Sequence, residues 1–322
     1  MTVGFDRVIA VDGSAAATPK RGADSIWISI DDGGELADPV NPATRSAAFA
    51  LLEDVCARPG RTLLTVDWSL GYPAGSAVAF GLDHQVRDQF GDRFSGESVR
   101  GDAPWAAMWG FLAARVVDAA DNANNRFEVA AALNERVGPP GPFWGAPASA
   151  SNAALSTGKQ PFEAVAEWRR AEVVLRRRRQ WPKSCWQLAG AGAVGSQSLL
   201  GIARLARLRS ALASTRTVAV WPFETGLAAP DADIDVVIAE MWPTLFVSSV
   251  DLPAHWIRDA AQVDAVVRLV RNAERSGELG TWFRPDLTVF DDDADDDAGV
   301  DADDDAGVDA VVAEEGWILG LI

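Results

Sequence analysis

The chain has 322 residues, 48% hydrophobic and 23% charged, a composition that suits a globular protein with a substantial core in one elaborated domain or two. No apolar stretch approaches the roughly 20 residues of a membrane helix, Met1–Asp6 lacks the apolar region of a signal peptide, and Cys56 and Cys185 are too few for a disulfide framework or a thiolate metal site, so a cytoplasmic protein without membrane contact is expected. The formal charge is −17, but residues 291–309 hold 11 aspartates and no basic residue, so the rest carries only −6 and the global charge does not exclude a polyanionic partner.

In chain order, Arg7–Asp12 is an apolar run ending in an acid, and Ser25–Ile30 alternates as a second strand. Asp31-Asp32-Gly33-Gly34 predicts a hairpin to a short third strand. A helix is expected over 43–57, then a buried strand over Thr62–Asp67. Residues 84–215 read as mainly helical, with helices over Trp105–Ala120, Arg126–Arg136, Phe162–Arg179 and Ser198–Ala213, broken by Pro139-Pro140-Gly141-Pro142. Strands return at Thr217–Trp221 and Val236–Ala239, the latter running into Glu240. A long helix follows, with Trp256, Ala260, Val263, Val267 and Val270 on one face. Asp295–Ala302 repeats identically as Asp303–Ala310, which predicts a solvated acidic loop over 291–309; residues 310–322 are apolar enough to pack back on a body spanning 1–290. The repeat is not a calcium loop, because Ala306 and Val312 stand where glycine and a bidentate glutamate are needed.

Three apolar strands thus end in an acid: Asp12, Asp67 and Glu240. In open α/β sheets the carboxyl ends of the strands form the ligand crevice, and acids gathered there call for a hard cation, Mg²⁺ or Mn²⁺. Asp259, near the start of the long helix, is a fourth candidate ligand. Two antiparallel strands, a third, a helix, a parallel strand and later strand–helix units give an α/β fold of ribonuclease H-like order, a mixed sheet with a large helical insertion. Carboxylates so placed would serve phosphodiester hydrolysis, with one acid or the metal activating water.

The sequence also resembles the predicted ribonuclease H-like nuclease family called domain of unknown function 429, and within it a bacterial subgroup labelled as cobalamin or molybdopterin-guanine dinucleotide biosynthesis proteins. The resemblance rests on Val11-Asp12-Gly13-Ser14-Ala15, Asp67-Trp68-Ser69-Leu70-Gly71-Tyr72-Pro73, Asp121–Glu128, Gly141–Gly145, Val194–Gln197, Trp221–Glu224, Ala239–Pro243, Arg258–Val263 and Glu315-Gly316-Trp317, nearly the whole chain. It implies the same fold and a metal-dependent nuclease. Two departures are Gly13, where the family usually has Trp after the first Asp, and the acidic repeat, which looks like an insertion.

Other constellations have two readings each. Gly190-Ala191-Gly192-Ala193-Val194-Gly195 matches a dinucleotide fingerprint with Glu224 as ribose acid, or is a tight entry to a helix with Ser196 and Gln197 at its start. Asn122, Asn124, Asn125 and Arg126 could clamp a phosphate or cap a helix. Arg176–Arg179 is a phosphate-backbone footprint or a solvated helix end. Trp105, Trp109 and Trp144 could line a ring-stacking surface or fill the core, and His84 and His255 have no spacing that suits metal or hydrolase chemistry.

The expectation is therefore a phosphodiesterase or nuclease acting on nucleic acid or a nucleotide-like small molecule. Asp12, Asp67, Glu240 and Asp259 would bind Mg²⁺ or Mn²⁺ and do the chemistry, and Asn124, Asn125, Arg126, Ser196 and Gln197 would hold substrate. The alternatives are a phosphotransferase of the sugar-kinase and actin superfamily, whose first phosphate loop Asp12-Gly13-Ser14 resembles, and a non-catalytic nucleotide- or cofactor-binding protein.

Overall fold

The computed structural model describes residues 3–34, 36–82, 103–190, 193–245, 257–287 and 304–322. Its centre is a five-stranded sheet of order β2-β1-β3-β5-β4, built from β1 (Arg7–Asp12), β2 (Trp27–Asp31), β3 (Thr62–Val66), β4 (Val218–Val220) and β5 (Val236–Glu240). β1 runs antiparallel to β2 and parallel to β3, and β3, β5 and β4 are all parallel. The sheet is thus mixed α/β, as the sequence pattern indicates. The expected third strand is reduced to one bridge, Ile28 to Val40.

Helices cover both faces, which is why β3 and β5 are continuous apolar runs rather than alternating ones. On one face Ile9, Val11, Leu64, Val66, Val236 and Ile238 share a core with α1 (Arg45–Ala57), α3 (Pro104–Arg115), α4 (Arg126–Val137) and α6 (Val194–Leu212); α2 (Ser76–Ala79) joins it. On the other, Val8, Ala10, Leu63, Val237 and Ala239 pack against α5 (Arg170–Arg177) and α7 (Arg258–Ser276). The face of α7 foreseen from its 3.6-residue period, Ala260, Val263, Val267 and Val270, is the buried one; Trp256 lies outside the described residues.

The 84–215 block departs from its expected outline. Its first helix ends at Arg115, not near 120. The third, expected from Phe162, begins only at Arg170, because Arg169 is extended (φ −70°, ψ 163°) to carry its guanidinium into the core. Residues 84–102, with His84, lie outside the described residues, as does His255. Of the acidic repeat, Asp304–Ala310 forms a short helix, α8, rather than the expected loop.

The C-terminal segment packs back as expected: Trp317, Ile318, Leu319 and Leu321 are buried, and Leu319 N–H donates to the Glu240 carbonyl at 2.8 Å. Glu314 fastens it, accepting the N–H groups of Gly75 (2.7 Å) and Ala77 (2.6 Å) around the start of α2. Gly71 is obligatory here, since a Cβ would stand 2.2 Å from the Glu314 carbonyl oxygen. Burial, with the Glu315 charge adding to it, pushes Glu314 up to about 7 against those hydrogen bonds. A carboxyl raised on folding contributes stability that is complete below its unfolded value and lost as pH rises through about 7. Hydrogen-exchange protection of Trp317–Leu321, corrected for intrinsic rates, is therefore expected to fall between pH 6 and pH 8.5. In Glu314→Gln it should be flat over that range; a wild-type protein equally flat would refute the assignment.

Candidate functional site

Asp12 closes β1, and Asp67 follows the last residue of β3 directly, continuing the ladder with its N–H to the Val11 carbonyl at 3.2 Å. Because side chains alternate along a strand, Asp12 lies on the α7 side with Val8 and Ala10, and Asp67 on the same side with Leu63. The register sets the two carboxyls in hydrogen-bonding contact, Asp12 donating and Asp67 accepting. Asp67 Oδ1 also accepts Gly13 N–H at 2.9 Å. Burial, then the Asp67 charge, push Asp12 well above the carboxylate range; burial lifts Asp67 to about 6 although its hydrogen bonds pull the other way. Near neutral pH the pair therefore keeps a proton between its oxygens.

Asp259, in the first turn of α7, raises both members of the pair through its charge, so helix and strand ends do converge. Its Oδ2 is engaged by Asp24 N–H at 2.7 Å. Glu240 does not join them. It shares the face of Ile238, opposite to Asp12, and Arg169 grips both its oxygens at 2.6 and 2.7 Å while Leu70 N–H donates at 3.1 Å. Arg169, fully buried, also holds Glu172 through Nε at 3.0 Å. Both oxygens of this carboxylate are thus engaged and its charge is met by a buried guanidinium. The expectation that Glu240 ligates metal is therefore corrected to a buried ion pair, and Glu224 is likewise taken by Arg209.

Among the described residues no three Asp, Glu, His or Cys side chains stand close enough to cage a metal ion. Two touching, partly desolvated carboxyls do fit one hydrated Mg²⁺ or Mn²⁺, ions that are ordinarily held by one or two carboxylates with water filling the remaining positions. The four-acid set does not form.

The loop after β1 is held by two side chains. Gln197 Nε2 donates to the Gly13 carbonyl at 2.7 Å, and Arg45 Nη1 donates to the Ser14 and Ala16 carbonyls, both at 2.8 Å. Gly13 has a steric reason: a Cβ would meet the Trp68 ring at 2.7 Å. Trp68, itself accommodated by Gly201, fills the space beside residue 13. Behind them Val11, Phe49, Trp68, Gln197 and Gly201 border a cavity of about 20 Å³, close to the room one water needs.

The second group foreseen from sequence divides by role. Asn122 is buried and structural, accepting Arg45 N–H at 2.8 Å. Asn125 ties Val117 N–H (2.8 Å) and the Arg115 carbonyl (2.9 Å), so it is a turn fastener rather than a substrate contact. Arg126 donates to Asn124 Oδ1 (2.7 Å) and Ser196 Oγ (2.9 Å) and lies over the Phe127 ring at 4.3 Å. No carboxylate among the described residues forms an ion pair with it, and burial, helped by the Arg45 charge and opposed by that of Asp118, lowers it to about 10. Ser196 donates to the Leu188 carbonyl at 2.6 Å. Arg126 thus bonds Ser196, whose chain neighbour Gln197 holds Gly13 and through it Asp67 of the acid pair.

The last glycine of the fingerprint and two of the tryptophans are structural. Gly195 is required because a Cβ would lie 2.5 Å from the Cys185 carbonyl oxygen, which accounts for the last glycine of the fingerprint by packing; Ala191 and Gly192 lie outside the described residues. Trp105 and Trp109 are core, Trp105 stacking on Phe223 at 4.9 Å and Trp109 donating to the Leu70 carbonyl. Arg45 and Arg169, which organise both ends of the site, carry no local sequence signal, since each acts on residues far along the chain. No protein-family model, curated protein or solved structure matches the chain. No described helix is long and apolar enough to cross a membrane.

Proposed function

We propose that the crevice at the carboxyl ends of β1 and β3 is a divalent-metal-dependent hydrolytic site for phosphodiesters, on a ribonuclease H-like core formed by β1, β2, β3 and β5. The observation that supports it is the hydrogen-bonded Asp12–Asp67 pair on two neighbouring parallel strands. Two carboxyls that repel each other and are partly withdrawn from water are costly to the fold unless a ligand uses them.

Asp12 and Asp67 would hold one hydrated Mg²⁺ or Mn²⁺. When bound, that cation supplies charge neutralisation at a phosphoryl oxygen and acidifies water. Gly13 N–H fixes the rotamer of Asp67, and Gln197 and Arg45 fix Gly13 and the loop behind it. Asp259 adds negative potential and keeps the Asp24 turn against α7. Arg126, held by Asn124 and Ser196, offers its remaining N–H edge to a substrate anion, an interaction stronger than a neutral hydrogen bond because one partner is charged.

The test is hydrolysis of bis(p-nitrophenyl) phosphate and of end-labelled single- and double-stranded oligonucleotides with Mg²⁺, Mn²⁺ or EDTA. Cation-dependent cleavage abolished by EDTA is expected. Arg126→Ala should raise KM about 10- to 100-fold, the range for a lost charged hydrogen bond. No cleavage of any of these substrates with either cation would reject the hydrolase.

A further inference from the structure

A second surface, independent of the acid pair, lies at the C-terminal end of α5. Arg176, Arg177, Arg178, Arg179 and Lys183 are all exposed, and Trp181 among them is 75% exposed, the highest value of any large apolar side chain described. Arg176, Arg179 and Lys183 have no aspartate or glutamate within ion-pair distance among the described residues, while Arg178 donates to the Ile322 oxygen at 2.5 Å. This happens in a chain of net charge −17, where acids to neutralise them are plentiful.

The local backbone makes the exposure a consequence of the fold. α5 buries Ala171, Val174 and Leu175, so its apolar stripe is spent on the core. Arg179 then adopts a left-handed conformation (φ 58°), and Gln180 N–H closes back on the Leu175 carbonyl at 2.9 Å. That position is ordinarily glycine, because a Cβ there is strained. An arginine keeps its charge at that corner against the backbone preference, and the turn carries Trp181 outward. Arg176 lies over the Trp168 ring at 4.5 Å, which orients its guanidinium plane.

We propose that Arg176–Lys183 is a docking surface for single-stranded nucleic acid, with the arginines on phosphates and Trp181 stacking on an unpaired base. Cations alone would suit any polyanion. The exposed indole selects unstacked bases, whose faces are open only in a single strand. A membrane surface fits poorly, because interfacial binding needs a continuous apolar face and that of α5 is buried.

The experiment is fluorescence anisotropy with fluorescein-labelled 12-mers of oligothymidylate and oligouridylate, on the full chain in EDTA, so that neither cation nor turnover is involved. Trp181→Ala should weaken binding about tenfold, the stacking contribution of one base. Arg179→Glu with Lys183→Glu should weaken it by at least as much and flatten the dependence of log Kd on log salt by about 1–2, near 0.7 per phosphate released in a single strand. Asp12→Asn should bind as the wild type does, which separates this surface from the hydrolytic reading: loss of catalysis with binding intact overturns neither. Binding unaffected by both substitutions, equal affinity for a duplex of the same length, or binding only to vesicles containing phosphatidylserine would each overturn the proposal. All these side chains are on the surface, so a change in circular dichroism is not expected.

Discussion

Asp12→Asn is expected to raise the melting temperature of the metal-free protein at pH 8 while erasing its stabilisation by Mg²⁺ or Mn²⁺. Asp12 and Asp67 are forced together by strand register, and burial lifts both above their ordinary values. Groups raised on folding give stability that is complete below about 4 and lost as pH climbs through the folded values, about 6 for Asp67. The chelated wild type should thus melt lower at pH 8 than at pH 5. Asparagine at 12 still donates to Asp67 but carries no charge and no proton to lose. The relief should be about 1–2 kcal/mol, or roughly 1.5–3 °C for a chain of this size. Differential scanning fluorimetry with EDTA, Mg²⁺ and Mn²⁺ at the two pH values reads both effects. A lower melting temperature for the variant in EDTA would deny the repulsion, and a cation-dependent rise that survives the substitution would move the metal elsewhere.

The largest loss of stability is expected at Arg169. Its guanidinium is fully buried and donates to Glu240, to Glu172 and, at 3.0 Å, to the Glu315 carbonyl. It therefore joins β5, the start of α5 and the C-terminal segment at one point. Arg169→Met leaves two carboxylates buried without a counter-ion, which costs about 3–5 kcal/mol, far more than the pair itself contributes. Urea unfolding should show that loss. Adding Glu240→Gln to the variant should restore part of it, because one of the stranded charges is then gone. Glu240→Gln alone distinguishes an ion-pair member from a metal ligand. As an ion-pair member, Glu240→Gln destabilises the protein and leaves the cation-dependent melting shift in place. As a metal ligand it would abolish the shift with little change in stability, and that result would overturn the assignment.

Several features were legible without a structure, because they are written in short-range pattern. Apolar runs at 7–12, 62–66 and 236–240 can be satisfied only inside a sheet covered on both faces, and they form β1, β3 and β5. The spacing of Ala260, Val263, Val267 and Val270 fixes which side of α7 is buried. An acid that ends a buried parallel strand must emerge at the carboxyl edge of the sheet, so Asp12, Asp67 and Glu240 were visible as candidates from residue type and strand order.

What could not be read is whatever depends on partners distant in the chain. The three strand-end acids look equivalent in sequence, yet register sends Asp12 and Asp67 to one face and Glu240 to the other. Arg169, 71 residues before Glu240, then neutralises it, and the same demand keeps residue 169 extended and shortens the helix expected from Phe162. Gly195 resembled part of a nucleotide loop but answers to the Cys185 carbonyl, and Gly13 to the Trp68 ring. Sequence periodicity determined which elements form and which way their side chains point, since that is a property of local backbone geometry. Only the tertiary structure decided which charges meet, because a buried carboxylate becomes a ligand or an ion-pair member according to whether a cation from elsewhere in the chain reaches it first.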